Sequence, residues 1–204
     1  MMAAAAFITG IVAYPALPLV AASHWDIQGT ANGYLPRFWA AFLMPLMMAI
    51  VATFWAVLPA IDPLAKGFRG FRYVYDFFII ILMAFLAYVY AFSLGVNLGW
   101  QVNLSYIILP ALGVLMFVLG ALLPLVARNW FFGIRTPWSL SSDANWDATH
   151  RFASRLFELA GFVTLASFFV FPTVKYGFLA SVFSIVGAAV ASVIYSYIFS
   201  RHER

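Results

Sequence analysis

The 204-residue sequence predicts an all-α, polytopic membrane protein with six transmembrane helices and both termini in the cytoplasm. Three observations predict it. Apolar residues make up 65% of the chain and charged residues 9%, with a mean hydropathy of +0.97; a water-soluble domain carries roughly 45–50% apolar and about 25% charged residues. Six apolar runs each approach the about 20 helical residues that cross a hydrocarbon core. Lysine and arginine gather on one side of those runs. Cysteine is absent, which excludes disulfide frameworks, thiolate nucleophiles and cysteine-based metal centres.

The first run covers residues 3–22. Its Val20-Ala21-Ala22 resembles a small-residue cleavage site, but no basic residue precedes the apolar stretch, so it reads as an uncleaved helix. The remaining spans are expected at 38–61, 76–97, 104–127, 156–172 and 177–199. Lipid offers no hydrogen bonds to a backbone, and the runs lack period-two alternation, so each is a helix. Pro15, Pro18, Pro45, Pro59, Pro110, Pro124 and Pro172 fall in or near the ends of spans, where a missing N–H shapes or kinks a helix. Two units follow: an N-terminal helical hairpin with an ordered outer loop, 1–61, and a four-helix membrane region, 62–204, with a long loop at 128–155.

Orientation comes from counting cations by side. Lys66, Arg69, Arg72, Arg128, Arg135, Arg151, Arg155, Arg201 and Arg204 share one side, against Arg37 and Lys175 on the other, nine to two. The richer side is cytoplasmic under the positive-inside rule. Anionic membrane lipid, and no nucleic acid, is then the nearest partner for a net charge of +4.

The outer segment, Ser23 to Arg37, carries His24, Trp25 and Asp26 ahead of Gly29, Gly33 and Tyr34. Gly29 and Gly33 permit tight turns, Asn32-Gly33 is a turn pair, and Trp25, Tyr34 and Trp39 suit the head-group boundary. His24, with Asp26 or Gln28 beside it, is positioned for a structural hydrogen bond or a ligand contact. A lone histidine is a poor chelator, so no metal is expected.

The inner segment is richer in signals. Thr136-Pro137 breaks regular structure and Ser141-Ser142-Asp143 supplies an N-cap, so a helix restarts near Asp143. From there Asp147, Arg151, Arg155 and Glu158 share one face as a ladder of paired charges. Trp130, Trp138 and Trp146 flank it, as head-group aromatics do. His150, Ser154 and Glu158 repeat on the adjoining face. Glu158 lies near the apolar zone, where an acid is a functional candidate; pairing with Arg151 or Arg155 is the plainer reading. Asp76 opens the third span, suited to cap the helix N-terminus and to pair with Arg72.

These residues carry a resemblance. Asn129 to Phe157, with Gly133-Ile134-Arg135-Thr136-Pro137-Trp138, Trp146 and His150-Arg151, resembles the signature of the SdpI family of membrane immunity proteins. His24-Trp25-Asp26, Gly29, Gly33-Tyr34 and Pro36 resemble the short N-terminal domain of unknown function that commonly precedes it. One step differs: Ala153-Ser154 stands where relatives often carry Gly-Lys or Gly-Gly after the His-Arg pair. The resemblance implies a six-span membrane protein that protects its producer against a secreted, membrane-active peptide. It also implies a ligand or signalling role for Asn129, Gly133, Arg135, Thr136, Pro137, Trp138, Trp146, His150 and Arg151, with a cytoplasmic repressor protein as partner.

A small-solute or ion transporter or channel is the alternative, drawing on Asp76, Glu158, Asn97 and the proline-broken helices. No enzyme activity and no cofactor is expected. His-Glu-x-x-His and Gly-x-Ser-x-Gly are missing from the sequence, and Ser139 or Ser141 with His150 and Asp147 is a coincidence of composition.

Overall fold

The first helix stops where proline stops it. A computed structural model describes residues 1–64, 68–171 and 173–202, with backbone alone at 68–71. Lys66, Pro172, Arg204 and the Arg69 side chain therefore lie outside the described residues. Helix α1 runs Met2–Ala13 and tightens into a 3-10 turn at Tyr14–Ala16. Leu17 is then extended (φ −68°, ψ 147°) ahead of Pro18, the conformation that a following proline enforces. The expected first span thus ends early, and its last residues join a β-strand.

That strand, β1 (Val20–Trp25), pairs antiparallel with β2 (Ala31–Pro36). The outer segment is therefore a hairpin and not the loop expected. Its turn is also displaced from Asn32-Gly33. Asp26 Oδ1 accepts from the N–H groups of Gln28 and Thr30, both at 2.9 Å, and Gly29 adopts φ +82°. A carboxylate able to cap two N–H groups outcompetes the Asn-Gly pair for the turn. Gly33 instead sits in β2, where a Cβ would come within 2.8 Å of His24 Cβ.

Five long helices follow: α2 (Arg37–Ile61), α3 (Phe68–Asn97), α4 (Leu104–Leu122, ending in a 3-10 turn at Leu123–Leu125), α5 (Asp143–Val170) and α6 (Val174–His202). All five are long and apolar enough to cross a membrane, whereas Met2–Ala16 is shorter. The backbone stays helical through Pro45, Pro59 and Pro110. Helices α3 and α5 begin well before residues 76 and 156, because helical hydrogen bonding does not stop at the bilayer surface. Asp76 consequently lies inside α3 and does not cap it; its pairing with Arg72, at 2.9 Å, is as expected. Ser142 caps α5 as expected, accepting from Asn145 N–H at 3.2 Å.

Two apolar clusters hold the helices together. One joins α1, α2 and α3 through Ala6, Ala41, Met48, Tyr90 and Leu94. The other gathers Leu58, Val74, Phe78, Val126, Phe132 and Trp146 at the opposite end. Lipid removes the hydrophobic drive between helices, so contact rests on small residues and close approach. At the α4–α5 crossing a Cβ on Gly161 would lie 2.5 Å from Phe117 N and 2.7 Å from Gly113 O, so glycine sets that separation.

Candidate functional site

The segment between α4 and α5 folds around its own polar side chains. Asn129 is fully buried: its Oδ1 accepts from Phe131 and Phe132 N–H (2.8 and 2.6 Å), and its Nδ2 donates to Ala127 O and Phe132 O (3.0 and 2.9 Å). One amide thereby satisfies four backbone groups that the turn leaves unpaired. Gly133 follows at φ +111°, and a side chain there would overlap His150 Nε2. His150 accepts the Ile134 N–H at Nε2 (3.0 Å), holds Nδ1 2.7 Å from Trp146 O, and stacks on the Trp146 ring at 4.0 Å. Trp146 in turn donates its indole N–H to Val126 O at 2.7 Å. It is buried, and so corrects the expectation of a head-group tryptophan; an indole N–H with a protein acceptor has no need of the interface.

Thr136 and Ser139 close the segment onto α6. Ser139 Oγ donates to Ile134 O (2.6 Å), Thr136 Oγ1 lies 2.9 Å from Ser196 Oγ, and Asn145 Nδ2 donates to Ser196 O at 3.0 Å. Pro137 is exposed, and Trp138 meets Tyr197 edge to face with ring centres 4.9 Å apart. Asp62, at the end of α2, reaches the same knot: it is buried and accepts from Trp130 N–H at 3.1 Å. The sequence reading passed over Asp62, Asn145 and Ser196. Asp62 has a legible signal, a carboxylate at a helix end one residue before proline.

The charges do not form the expected ladder. Among the described residues the ion pairs are Arg72–Asp76 at 2.9 Å and Arg128–Asp143 at 2.6 Å, and none joins Asp147, Arg151, Arg155 and Glu158. Glu158 instead accepts from Ser154 Oγ at 3.1 Å. A hydroxyl one turn away is a shorter, less mobile partner than an arginine that can extend into water. Arg135 is exposed and donates to Trp130 O at 2.8 Å. The Ser139–His150 pairing of a hydrolase is also not formed: both imidazole nitrogens and the Ser139 hydroxyl have other partners.

At the far end a cavity of about 760 Å³ opens beneath the hairpin. His24, Trp25 and Asp26 line its roof, and Leu43, Met47 and Leu112 are among its apolar walls. The roof is tied down by two asparagines. Asn97 accepts from Ala22 N–H at 2.7 Å and donates to Ala22 O at 2.9 Å, and Asn103 donates to Gln28 O at 2.6 Å. Asn97 is thus an anchor for β1, where the sequence suggested the wall of a polar path. His24 Nδ1 lies 2.5 Å from Asn32 Oδ1, a cross-strand bond that gives His24 the structural hydrogen bond expected of it. Tyr34 is exposed. Among the described residues no group of three His, Asp or Glu side chains gathers to hold a metal.

Five bilayer-length helices with a buried polar knot at one end and a roofed cavity at the other define a multi-pass helical membrane protein. Residues 125–200 match the SdpI/YfhL protein family, and residues 1–49 match a domain of unknown function, DUF1648. Immunity protein SdpI of Bacillus subtilis (strain 168) is 28% identical over 192 residues, covering 94% of this chain and 88% of that protein. The C-terminal part of the chain is thus similar to the SdpI family, and the homology supports a membrane immunity protein of the cell membrane. No solved structure matches it.

Proposed function

We propose that this protein confers immunity by capturing a membrane-active antimicrobial peptide in the cavity beneath the outer hairpin. We further propose that it reports occupancy to a cytoplasmic repressor through the segment around His150. Both termini and that segment face the cytoplasm in this reading, in keeping with the lysine and arginine bias. The 1–61 unit supplies the roof and one wall, and the 62–204 unit supplies the remaining walls and the signalling surface.

The cavity is the observation that carries the reading. A peptide that partitions into a bilayer presents an apolar face, and walls rich in leucine and methionine adapt to such faces. A helix about 10 Å across would fill about 760 Å³ within about two turns. The cavity therefore suits one end or one bulky stretch of a peptide. Helix α3 offers the link between ends: Asn97 holds the hairpin, and Val74 and Phe78 pack with Phe132 and Trp146 of the signature cluster. A transporter is disfavoured because Asp76 and Glu158 both lie toward the signature end, and the sequence has no charged residue in 38–61, 77–97, 104–125 or 159–170.

Expression in a peptide-sensitive cell tests the reading. Wild type should raise survival, and Leu43→Trp with Leu112→Trp, which fill the cavity, should abolish protection at unchanged membrane abundance. Equal killing with and without the wild-type protein, across a panel of membrane-active peptides, would rule it out.

A further inference from the structure

At the signature end of the molecule, a groove of about 540 Å³ separates the outer faces of α5 and α6. Asp147, Arg151, Phe152 and Arg155 line it from α5, and Tyr195 and Phe199 from α6. Arg151 and Arg155 are exposed and, among the described residues, neither has a carboxylate within ion-pair distance, unlike Arg72 and Arg128. The Tyr195 ring stacks on Phe152 at 4.2 Å and 9°, which fixes the tyrosine; its hydroxyl has no hydrogen-bond partner among the described residues. We infer that this groove binds the phosphodiester head group of an anionic phospholipid between Arg151 and Arg155.

Depth and charge both favour a lipid. Arg155 directly precedes Leu156-Phe157, where the apolar run of α5 begins, and on α6 Phe199 precedes Arg201 and His202. The groove therefore lies at head-group level. Below Arg155, at i+4 and i+7 on the same helical face, Leu159 and Phe162 are 58% and 62% exposed, a track for an acyl chain that free phosphate would not need. Two guanidinium groups one turn apart can bracket a phosphodiester, with planar forks matched to its oxygens. Asp147 lies a further turn away from the apolar zone, so the positive charge is concentrated toward the bilayer. This inference concerns the opposite end of the protein from the peptide cavity and stands independently of it.

Native mass spectrometry of the full-length protein in detergent, titrated with phosphatidylglycerol or with phosphatidylcholine of the same acyl chains, tests it. Each basic residue near an anionic surface contributes about fivefold in affinity. Arg151→Gln with Arg155→Gln should thus weaken phosphatidylglycerol binding about thirtyfold and leave phosphatidylcholine binding unchanged. Arg151→Lys with Arg155→Lys should keep most of the affinity, and Asp147→Asn should strengthen it. Inorganic phosphate at equal concentration should not compete. Equal adducts in wild type and the glutamine variant, or displacement by inorganic phosphate, overturns the inference. If the glutamine variant fails to fold, thermal unfolding of wild type decides: phosphatidylglycerol should raise Tm above phosphatidylcholine, and identical shifts overturn the inference.

Discussion

The backbone N–H of Ile134 donates to His150 Nε2 at 3.0 Å, so the loop before α5 is pinned to that helix by a histidine acting as an acceptor. An amide can only donate, so Nε2 carries no proton and the proton sits on Nδ1, 2.7 Å from Trp146 O. His150 is a buried, neutral bracket whose two nitrogens are both in use. Replacing it by phenylalanine keeps the stack on Trp146 and removes the acceptor. The expected loss is about 1–3 kcal/mol, the cost of stranding a buried donor, read as a lower Tm in detergent and faster hydrogen exchange at Ile134. An unchanged exchange rate there would show that the bracket does not hold the loop.

Gly133→Ala should be worse tolerated than an alanine substitution at an exposed glycine such as Gly187. Position 133 combines φ +111° with a Cβ overlapping His150, whereas nothing lies within 4 Å of a Cβ at Gly187. A loss of about 2–4 kcal/mol is expected at Gly133, from backbone strain and displacement of the imidazole together. At Gly187, inside α6, alanine should be neutral or stabilising by up to about 1 kcal/mol. Thermal unfolding of both variants checks the contrast.

Asn129 separates donors from acceptors. Asn129→Asp keeps the bonds from Phe131 and Phe132 N–H but loses both Nδ2 donors and sets a carboxylate against two carbonyls. Because that site is fully buried, aspartate should destabilise at least as much as alanine, by about 2–4 kcal/mol in denaturant unfolding.

The two carboxylates Asp62 and Asp76 should behave oppositely. Asp76 and Arg72 form an exposed i,i+4 pair, with side chains 49% and 64% accessible, so Asp76→Ala should cost less than about 0.5 kcal/mol. Asp62 is buried and caps Leu64 and Trp130 N–H groups at 2.7 and 3.1 Å. Asp62→Ala should cost about 1.5–3 kcal/mol and loosen the loop at Trp130, as limited proteolysis would reveal.

Orientation is open to direct measurement because the chain has no cysteine. Single cysteines at the exposed positions Gln101 and Ser141 place one label at each end of the bundle. A membrane-impermeant maleimide should modify Gln101→Cys in intact cells and Ser141→Cys only after permeabilisation. The reverse pattern would invert the topology and move the hairpin cavity to the cytoplasm.

The helices were legible because lipid leaves a backbone no other choice: apolar runs of sufficient length must bond internally, and the positions of α2 to α6 follow. The helix restart at Asp143 was legible for a similarly local reason, since Ser142 and its N–H acceptance lie within one turn. Local chemistry did not determine the partners of polar groups. The hairpin depends on strands joined through Asp26 and anchored by Asn97, 75 residues from Ala22. The burial of Trp146 depends on Val126, and the His150 bracket needs Gly133 to leave it room. Spacing placed Asp147, Arg151, Arg155 and Glu158 on one face, but a shared face is not a shared bond: Ser154 reached Glu158 first, and the arginines turned outward. Sequence fixes which segments enter the bilayer, because that follows from composition summed along the chain. The tertiary structure alone decides which buried donor meets which acceptor, because that depends on separations of a few tenths of an ångström between residues far apart in sequence.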